Sequence, residues 1–484
     1  MPTFNELLDG VRTRSYQGSH VRGVTDRSFD VQPGFIFVAR QGQRVDGSQY
    51  AQEAVQRGAL AVVAEMPLSL GVQVITVESA TEALGLLAAA FHGDPAKVLT
   101  MVGVTGTNGK TTTAALVASA LRAAGHRVGT IGTLGVQLDG EVVRHLALTT
   151  PAAPELQASL RELLEYGATH AVMEVSSHAL RQGRTAGCSF NAGVFTNLTR
   201  DHTDYHGDMQ HYLEAKGLLF EGLGADGRPA VAVLNSDSPA YDYLRGITKV
   251  PIRTFGKDAD VSLVGFEDHG LSGGLVTLRI DGERHSFPLL LPGRHNIENA
   301  MAAAAAVTAL GIPPAMALRG LSELRQVSGR LQVIEDIGRP YRVVVDYAHN
   351  PAGLVQLLRL ARRASQGRVI AVFGGRGERD RGKRPLMGAI AAALADHLIV
   401  TIDNPRSESP LDTAEQVAAG ARESGIPTEI VLDRYRAIQR AMQIAEPGDT
   451  ITISGKGGEV WDERHEGREM TDERVVREIA AGGR

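Results

Sequence analysis

"VTGTNGKTTT", Val104–Thr113, decides how this chain is read. The apolar run "LTMVGVTG" leads into it, and the helix-forming run "KTTTAALVASALRAAG" leads out. Strand, glycine turn and helix in that order make a phosphate-binding loop. The glycines let backbone N–H groups converge on an anion, and the helix N-terminus adds partial positive charge. The common spacing has a glycine five positions before the Gly-Lys pair, where this chain has Val104. Gly106, Thr107, Asn108 and Gly109 are expected to wrap phosphates, with Lys110 on the outer ones. Thr111 or Thr112 then offers a hydroxyl to Mg2+. The loop specifies a nucleotide but not a chemistry.

The surrounding chain repeats the same rhythm. "HRVGTIGT", "HAVMEVSS", "AGVFTN" and "AVAVLNSD" are buried-type strands that end in polar residues, so the segment predicts a parallel sheet with helices on both faces. Ligands of such sheets lie beyond the carboxyl ends of the strands. From "YRVVVDYAHNP" onward the pattern restarts with "RVIAVFGG", "DHLIVTID", "TEIVLD" and "DTITISGKG", a second α/β domain. The first hundred residues alternate strands ("FIFVAR", "LAVVAE") with helices and close on Gly93, Asp94 and Pro95. Three α/β domains are therefore expected, at 1–97, 98–330 and 331–484. "AMAAAAAVTALGI", Ala300–Ile312, is shorter than the ~18 apolar residues a spanning helix needs, and predicts a buried helix.

Composition narrows the function. A net charge of -5 gives no electrostatic grip on nucleic acid. One cysteine, Cys188, excludes an internal disulfide framework and a cysteine-based zinc site. The N-terminal segment lacks the apolar core of a signal peptide, in keeping with a cytoplasmic protein without membrane insertion.

Several polar residues have two readings at this level. Glu174 of "MEVSSHAL" ends a strand beside the loop, where it either ligates Mg2+ or faces solvent while Ser176 or Ser177 caps the next helix. "TRDHTDYHGDMQH" crowds Asp201, His202, Asp204, His206 and His211 together without a zinc spacing. Lys216 lies on a predicted helix, where a lysine most often faces water.

Taken in order, "GVTGTNGKTTT", "MEVSSHAL", "TNLTRDHTDYHG", "LPGRHNIENAMAA", "VVDYAHNP" and "GKRPLMG" resemble the Mur ligases of bacterial cell-wall synthesis. The resemblance covers almost the whole chain, and that family uses the short "GTNGKT" loop. It implies an N-terminal domain for a uridine nucleotide, a central P-loop-type parallel-sheet ATPase domain and a C-terminal Rossmann-like domain for an amino acid. "DNPRSE" and "GKGGE" resemble the branch that adds the third amino acid of the peptide. The partners implied are UDP-N-acetylmuramoyl-L-Ala-D-Glu and a diamino acid, diaminopimelate first, with lysine or ornithine as alternatives. Folylpolyglutamate synthetase shares the loop and the acyl-phosphate logic. It is not expected to carry "DNPR" or this N-terminal domain. A nucleotide-dependent switch without ligase chemistry is a further alternative. No oligomer is required.

The site residues follow from the resemblance. ATP and two Mg2+ ions are implied. Thr111 and Glu174 would hold one ion, His202 and a carbamylated Lys216 the other. Lys110, Lys216, His202 and Arg330 would serve catalysis. Asn296 and Asn299 would lie near adenine, although Asn296 also reads as a helix N-cap. Asp346 would hold ribose beside His349. Ser28, Gln43, Arg44 and Val45 would meet the uridine end; "TDRSFDVQPG" departs there from the common Asp-Ser-Arg form. Thr149, Thr150, Ser176, Gln182 and Arg184 would hold the rest of the UDP-sugar peptide. Arg379, Asp403, Asn404, Pro405, Arg406, Gly455 and Glu459 would form the amino-acid pocket. Arg406 suits a terminal carboxylate, or else pairs with Glu408. Two departures fall in that pocket: Gly458 stands where the family usually has His, and Arg376 and Glu378 stand where many members have Gly and Asp.

Overall fold

The computed structural model describes residues 3–42, 45–201, 203–378, 380–461 and 468–482. The shorter apolar runs form strands, and the long alanine-rich one forms a buried helix, His295–Ala309. Among the described residues the strands gather into sheets of four, eleven and six strands plus a two-stranded ribbon. The first sheet, Gly23–Thr25, Phe35–Ala39, Ala61–Ala64 and Gln73–Thr76, is parallel throughout. Helices Phe4–Arg12 and Ala80–Phe91 cover it with Leu7, Leu84 and Leu87.

The second sheet carries the loop. Strand Thr100–Thr105 runs between His170–Glu174 and Ala192–Phe195, parallel to both. Val128–Gly132, Val231–Asn235 and Ile252–Phe255 continue the parallel part. Helix Lys110–Ala123 packs on this sheet with His295–Ala309 and Pro314–Glu323. The alanine run of Ala302–Ala306 is fully buried. Small side chains let helices approach closely; a methyl at Gly320 would lie 2.4 Å from Ala120 Cα.

Both edges of this sheet hold strands absent from the sequence reading. Gly135–Leu138 and Glu141–Arg144 extend one edge antiparallel, and Val261–Asp268, Gly274–Ile280 and Glu283–Leu289 build the other. The alternation of buried and exposed residues along Gly274–Ile280 belongs to a half-covered sheet, unlike the continuous apolar runs of the centre. Asp139-Gly140 and Asp281-Gly282, all at positive φ, are the hairpin turns that mark them.

The third sheet orders Gln332–Val333, Arg342–Asp346, Thr450–Ser454, Val369–Phe373, His397–Val400 and Thr428–Ile430. Only the first pair is antiparallel. No described helix is long and apolar enough to cross a membrane.

Candidate active site

The loop leaves the central strand at Gly106, φ +145°, and enters the helix at Gly109, φ +86°. Parallel register puts Glu174 beside Val104 and Phe195 beside Thr105, so both neighbouring strands end at the loop. Glu174 is 3% exposed. Its carboxylate accepts from Thr111 Oγ1 at 2.8 Å and from the Thr133 N–H at 2.8 Å. The solvent-facing reading of Glu174 is thereby corrected. Ser176 caps the following helix through the Ala179 N–H, as expected.

Two lysines converge on one carbonyl. Lys110 Nζ donates to the Gly106 and Thr107 carbonyls at 2.9 Å, and Lys216 Nζ donates to the Gly106 carbonyl at 2.8 Å. Lys216 is 1% exposed and lies over the Tyr212 ring, which corrects the water-facing reading. Burial, and then the charge of Lys110, hold the Lys216 ammonium well below the ordinary lysine range. Burial also lowers Lys110, with Glu174 opposing.

The third sheet closes over this loop. Arg330 donates to Thr111 Oγ1 at 2.8 Å. Asn350 Nδ2 reaches Asn108 Oδ1 at 3.4 Å, and His349 Nε2 lies 3.9 Å from Asp201 Oδ2. The cavity between them is lined by Asn108, Gly109, Thr111, Thr112, Asn296, Asn299, Arg330, Asp346 and His349, together with His295, Tyr347 and Asn350. Nine residues expected at a nucleotide thus share one cavity. Asn296 is not an N-cap: it sits inside the first turn, where Nδ2 donates to the Pro292 carbonyl and Oδ1 accepts from Asn299. Asp346 grips the linker, accepting from the Leu331 and Ala348 N–H groups.

Next to the cavity, Asp403, Asn404, Pro405, Arg406, Gly455 and Glu459 gather where strands His397–Val400 and Thr450–Ser454 end. Asp403 is 1% exposed and paired with Arg376 at 3.0 Å. Arg406 does not pair with Glu408; it lies 3.6 Å from Glu378. Glu408 instead accepts from Arg384, which holds its carboxyl down at about 2.

On the other side, Thr150 Oγ1 donates to the Glu174 carbonyl and accepts from the Ser176 N–H. Thr149 Oγ1 lies 3.2 Å from Thr133 Oγ1. Arg184 donates to the Thr150 carbonyl and to Gln182 Oε1. Ser28 donates to Glu53 within the first sheet's domain, and Val45 is exposed. Gln43, Arg44, His202 and Arg379 lie outside the described residues.

Residues 104–307 match the Mur ligase middle domain, 329–457 the Mur ligase glutamate ligase domain, and 20–92 the Mur ligase family catalytic domain. A curated protein of Geobacillus thermodenitrificans, UDP-N-acetylmuramoyl-L-alanyl-D-glutamate–2,6-diaminopimelate ligase, is 40% identical over 89% of this chain and 88% of its own length. The chain belongs to the Mur ligase family. It is an ATP-dependent, ADP-forming ligase. A ligase of the same name from Solibacter usitatus is 40% identical, covering 96% of this chain and 94% of that one. A solved structure of a ligase so named superposes with a TM-score of 0.68 at 32% identity, covering 96% and 95% of the two chains.

For this Mur ligase, sequence reasoning passed over three contributors. The guanidinium groups of Arg330 and Arg376 both lie over the Tyr347 ring, at 4.1 and 4.9 Å from its centroid. Arg384 is fully buried and braces Glu408 of the "DNPRSE" loop. Thr133 completes the bonding of Glu174. Tyr347 and Arg384 stand inside motifs already quoted, "VVDYAHNP" and "GKRPLMG". Thr133 carries no local signal.

Proposed function

We propose that this chain joins meso-2,6-diaminopimelate to UDP-N-acetylmuramoyl-L-Ala-D-Glu in cytoplasmic peptidoglycan synthesis, as a monomer built from regions 1–97, 98–330 and 331–484. The names of relatives 40% identical over most of their length carry the choice of substrates. They favour it over lysine, ornithine or a folate acceptor.

A carboxylate is a poor acyl donor, because its leaving group would be oxide. Transfer of the γ-phosphoryl group from ATP gives an acyl phosphate, the amine attacks, and phosphate leaves the tetrahedral intermediate. The protein's work is positioning and charge neutralisation. Lys110 and Arg330 meet the outer phosphates, Asn296 and Asn299 the adenine side, and Asp346 and His349 the ribose side. Arg406 takes a terminal carboxylate, Glu459 an ammonium, and Arg379 the other carboxylate. Thr150, Gln182 and Arg184 meet the UDP-sugar peptide.

Thr111 and Glu174 bring oxygens together beside the loop, a donor set that suits Mg2+ and would hold one ion, and His202 with Lys216 as carbamate would hold a second. The ions would offset the phosphate charge. A carbamate needs a neutral amine, and the surroundings of Lys216 favour that form. Lys216→Ala is expected to lose activity and to regain part of it with short carboxylates; a fully active variant, or one never rescued, refutes the carbamate. For the function itself, phosphate release is measured with the UDP-sugar dipeptide and each amino acid. Release dependent on diaminopimelate is expected, and strong ornithine turnover with none for diaminopimelate refutes the assignment.

A further inference from the structure

Arg376 occupies the wall between the cavity and the "DNPR" loop, two residues beyond Gly374 at the end of strand Val369–Phe373. Its side chain is 20% exposed, and each of its three nitrogens donates a hydrogen bond. Nε donates to Asp403 Oδ2 at 3.0 Å, and one terminal nitrogen donates to Tyr347 Oη at 3.2 Å. The other donates to the Gly455 carbonyl at 2.9 Å and to Glu459 Oε2 at 3.5 Å. Tyr347 Oη in turn donates to Glu459 Oε1 at 2.7 Å. Both carboxylates of this wall are therefore engaged before any substrate arrives.

We infer that Arg376 is a specificity-determining residue that turns the pocket against amino acids whose far end carries an ammonium group alone and toward those whose far end also carries a carboxylate. This rests on the ligase reading above. Asp403 and Glu459 alone would present two negative charges, an attractive seat for the side-chain ammonium of lysine or ornithine. Arg376 adds its positive charge to those of Arg434 and Lys456 acting on Asp403, and already uses the Glu459 oxygen facing it. Any ammonium that reaches Glu459, from lysine or from diaminopimelate, competes with Arg376 and Tyr347 for its oxygens, and only diaminopimelate brings a far carboxylate to offset that loss. The far carboxylate of diaminopimelate meets Arg406, which is half-exposed and lies 3.6 Å from Glu378. Breaking that longer, wet contact costs little. The fork of Arg376, rather than a bare positive charge, spans the two carboxylates, the phenol and the carbonyl.

The test is the ratio of kcat/KM for meso-diaminopimelate to kcat/KM for L-lysine, from amide product formed by the full chain with ATP and the UDP-sugar dipeptide. In Arg376→Gln the ratio is expected to fall about tenfold or more, as for loss of one partner of a buried charge pair. Arg376→Lys, which keeps the charge but not the fork, should fall between. General damage to the fold would lower both amino acids alike and leave the ratio in place. Asp403 Oδ1 already has no hydrogen-bond partner among the described residues, so Arg376→Gln strains the fold; if it does not accumulate, Arg376→Lys carries the measurement. An unchanged ratio in the folded variant overturns the inference. A wild-type chain that forms no amide with any diamino acid would instead overturn the ligase reading.

Discussion

At the scale of single residues, burial decides more than residue type. Lys216 and Lys110 share a helix-forming context in sequence, yet their ammonium groups meet at the Gly106 carbonyl. Two amines at one buried acceptor disfavour charging both, and the Lys216 amine is the one held well below its ordinary range. His295 shows the same effect on a neutral group. Burial lowers its imidazole to about 4, so between pH ~6.5 and ~4 the unfolded chain binds a proton that the native chain refuses. Its contribution to stability is constant above that window and declines as pH falls through it. His295→Gln is therefore expected to lose less stability than the wild type between pH 7 and pH 5, read from urea midpoints. An equal loss would mean that the imidazole is free to ionise.

At the scale of elements, the strand–loop–helix unit works because its glycines are enforced by neighbours. A methyl on Gly106 would lie 1.9 Å from Thr196 Oγ1, and one on Gly109 would lie 2.3 Å from Asn299 Oδ1. Positive φ adds a backbone cost of ~1–3 kcal/mol for any other residue. Gly106→Ala is expected to destabilise the chain by about that much and to weaken ADP binding more than tenfold. Calorimetric titration with ADP checks it, and unaltered affinity would contradict the loop's role. The edge hairpins are a different kind of element. Their Asp-Gly turns stand in the sequence, but the strands beside them lack the continuous apolar runs that mark the central strands.

At the scale of the whole molecule, the site exists only where two sheets face each other. Arg330 reaches Thr111, and Asp346 fastens the Leu331 N–H at the same junction. Gly329 and Gly458 allow the contact: a methyl on Gly329 would lie 1.8 Å from the Gly458 nitrogen, and one on Gly458 would lie 2.6 Å from Ser328 Oγ. The glycine that departs from the family pattern thus sits against the linker. Asp346→Ala leaves the Leu331 and Ala348 N–H groups without their partner, at a cost of ~1–3 kcal/mol each where buried. A lower unfolding temperature together with weaker ADP binding is expected; a change in only one of them would separate junction from site.

The sequence by itself determined the α/β class, because short continuous apolar runs alternate with helix-length segments, the pattern of buried parallel strands with helices between them. It also determined the nucleotide loop, whose chemistry is local: residues 106–112 are contiguous and their spacing is the geometry. The tertiary structure alone decided which residues meet across distance. Glu174 meets Thr111 through strand register, Lys216 meets Gly106 through helix packing, and Arg376 reaches Asp403 and Glu459 from a third loop. Such contacts depend on the side chain's direction and on what water is excluded, and neither is encoded in the spacing of one segment.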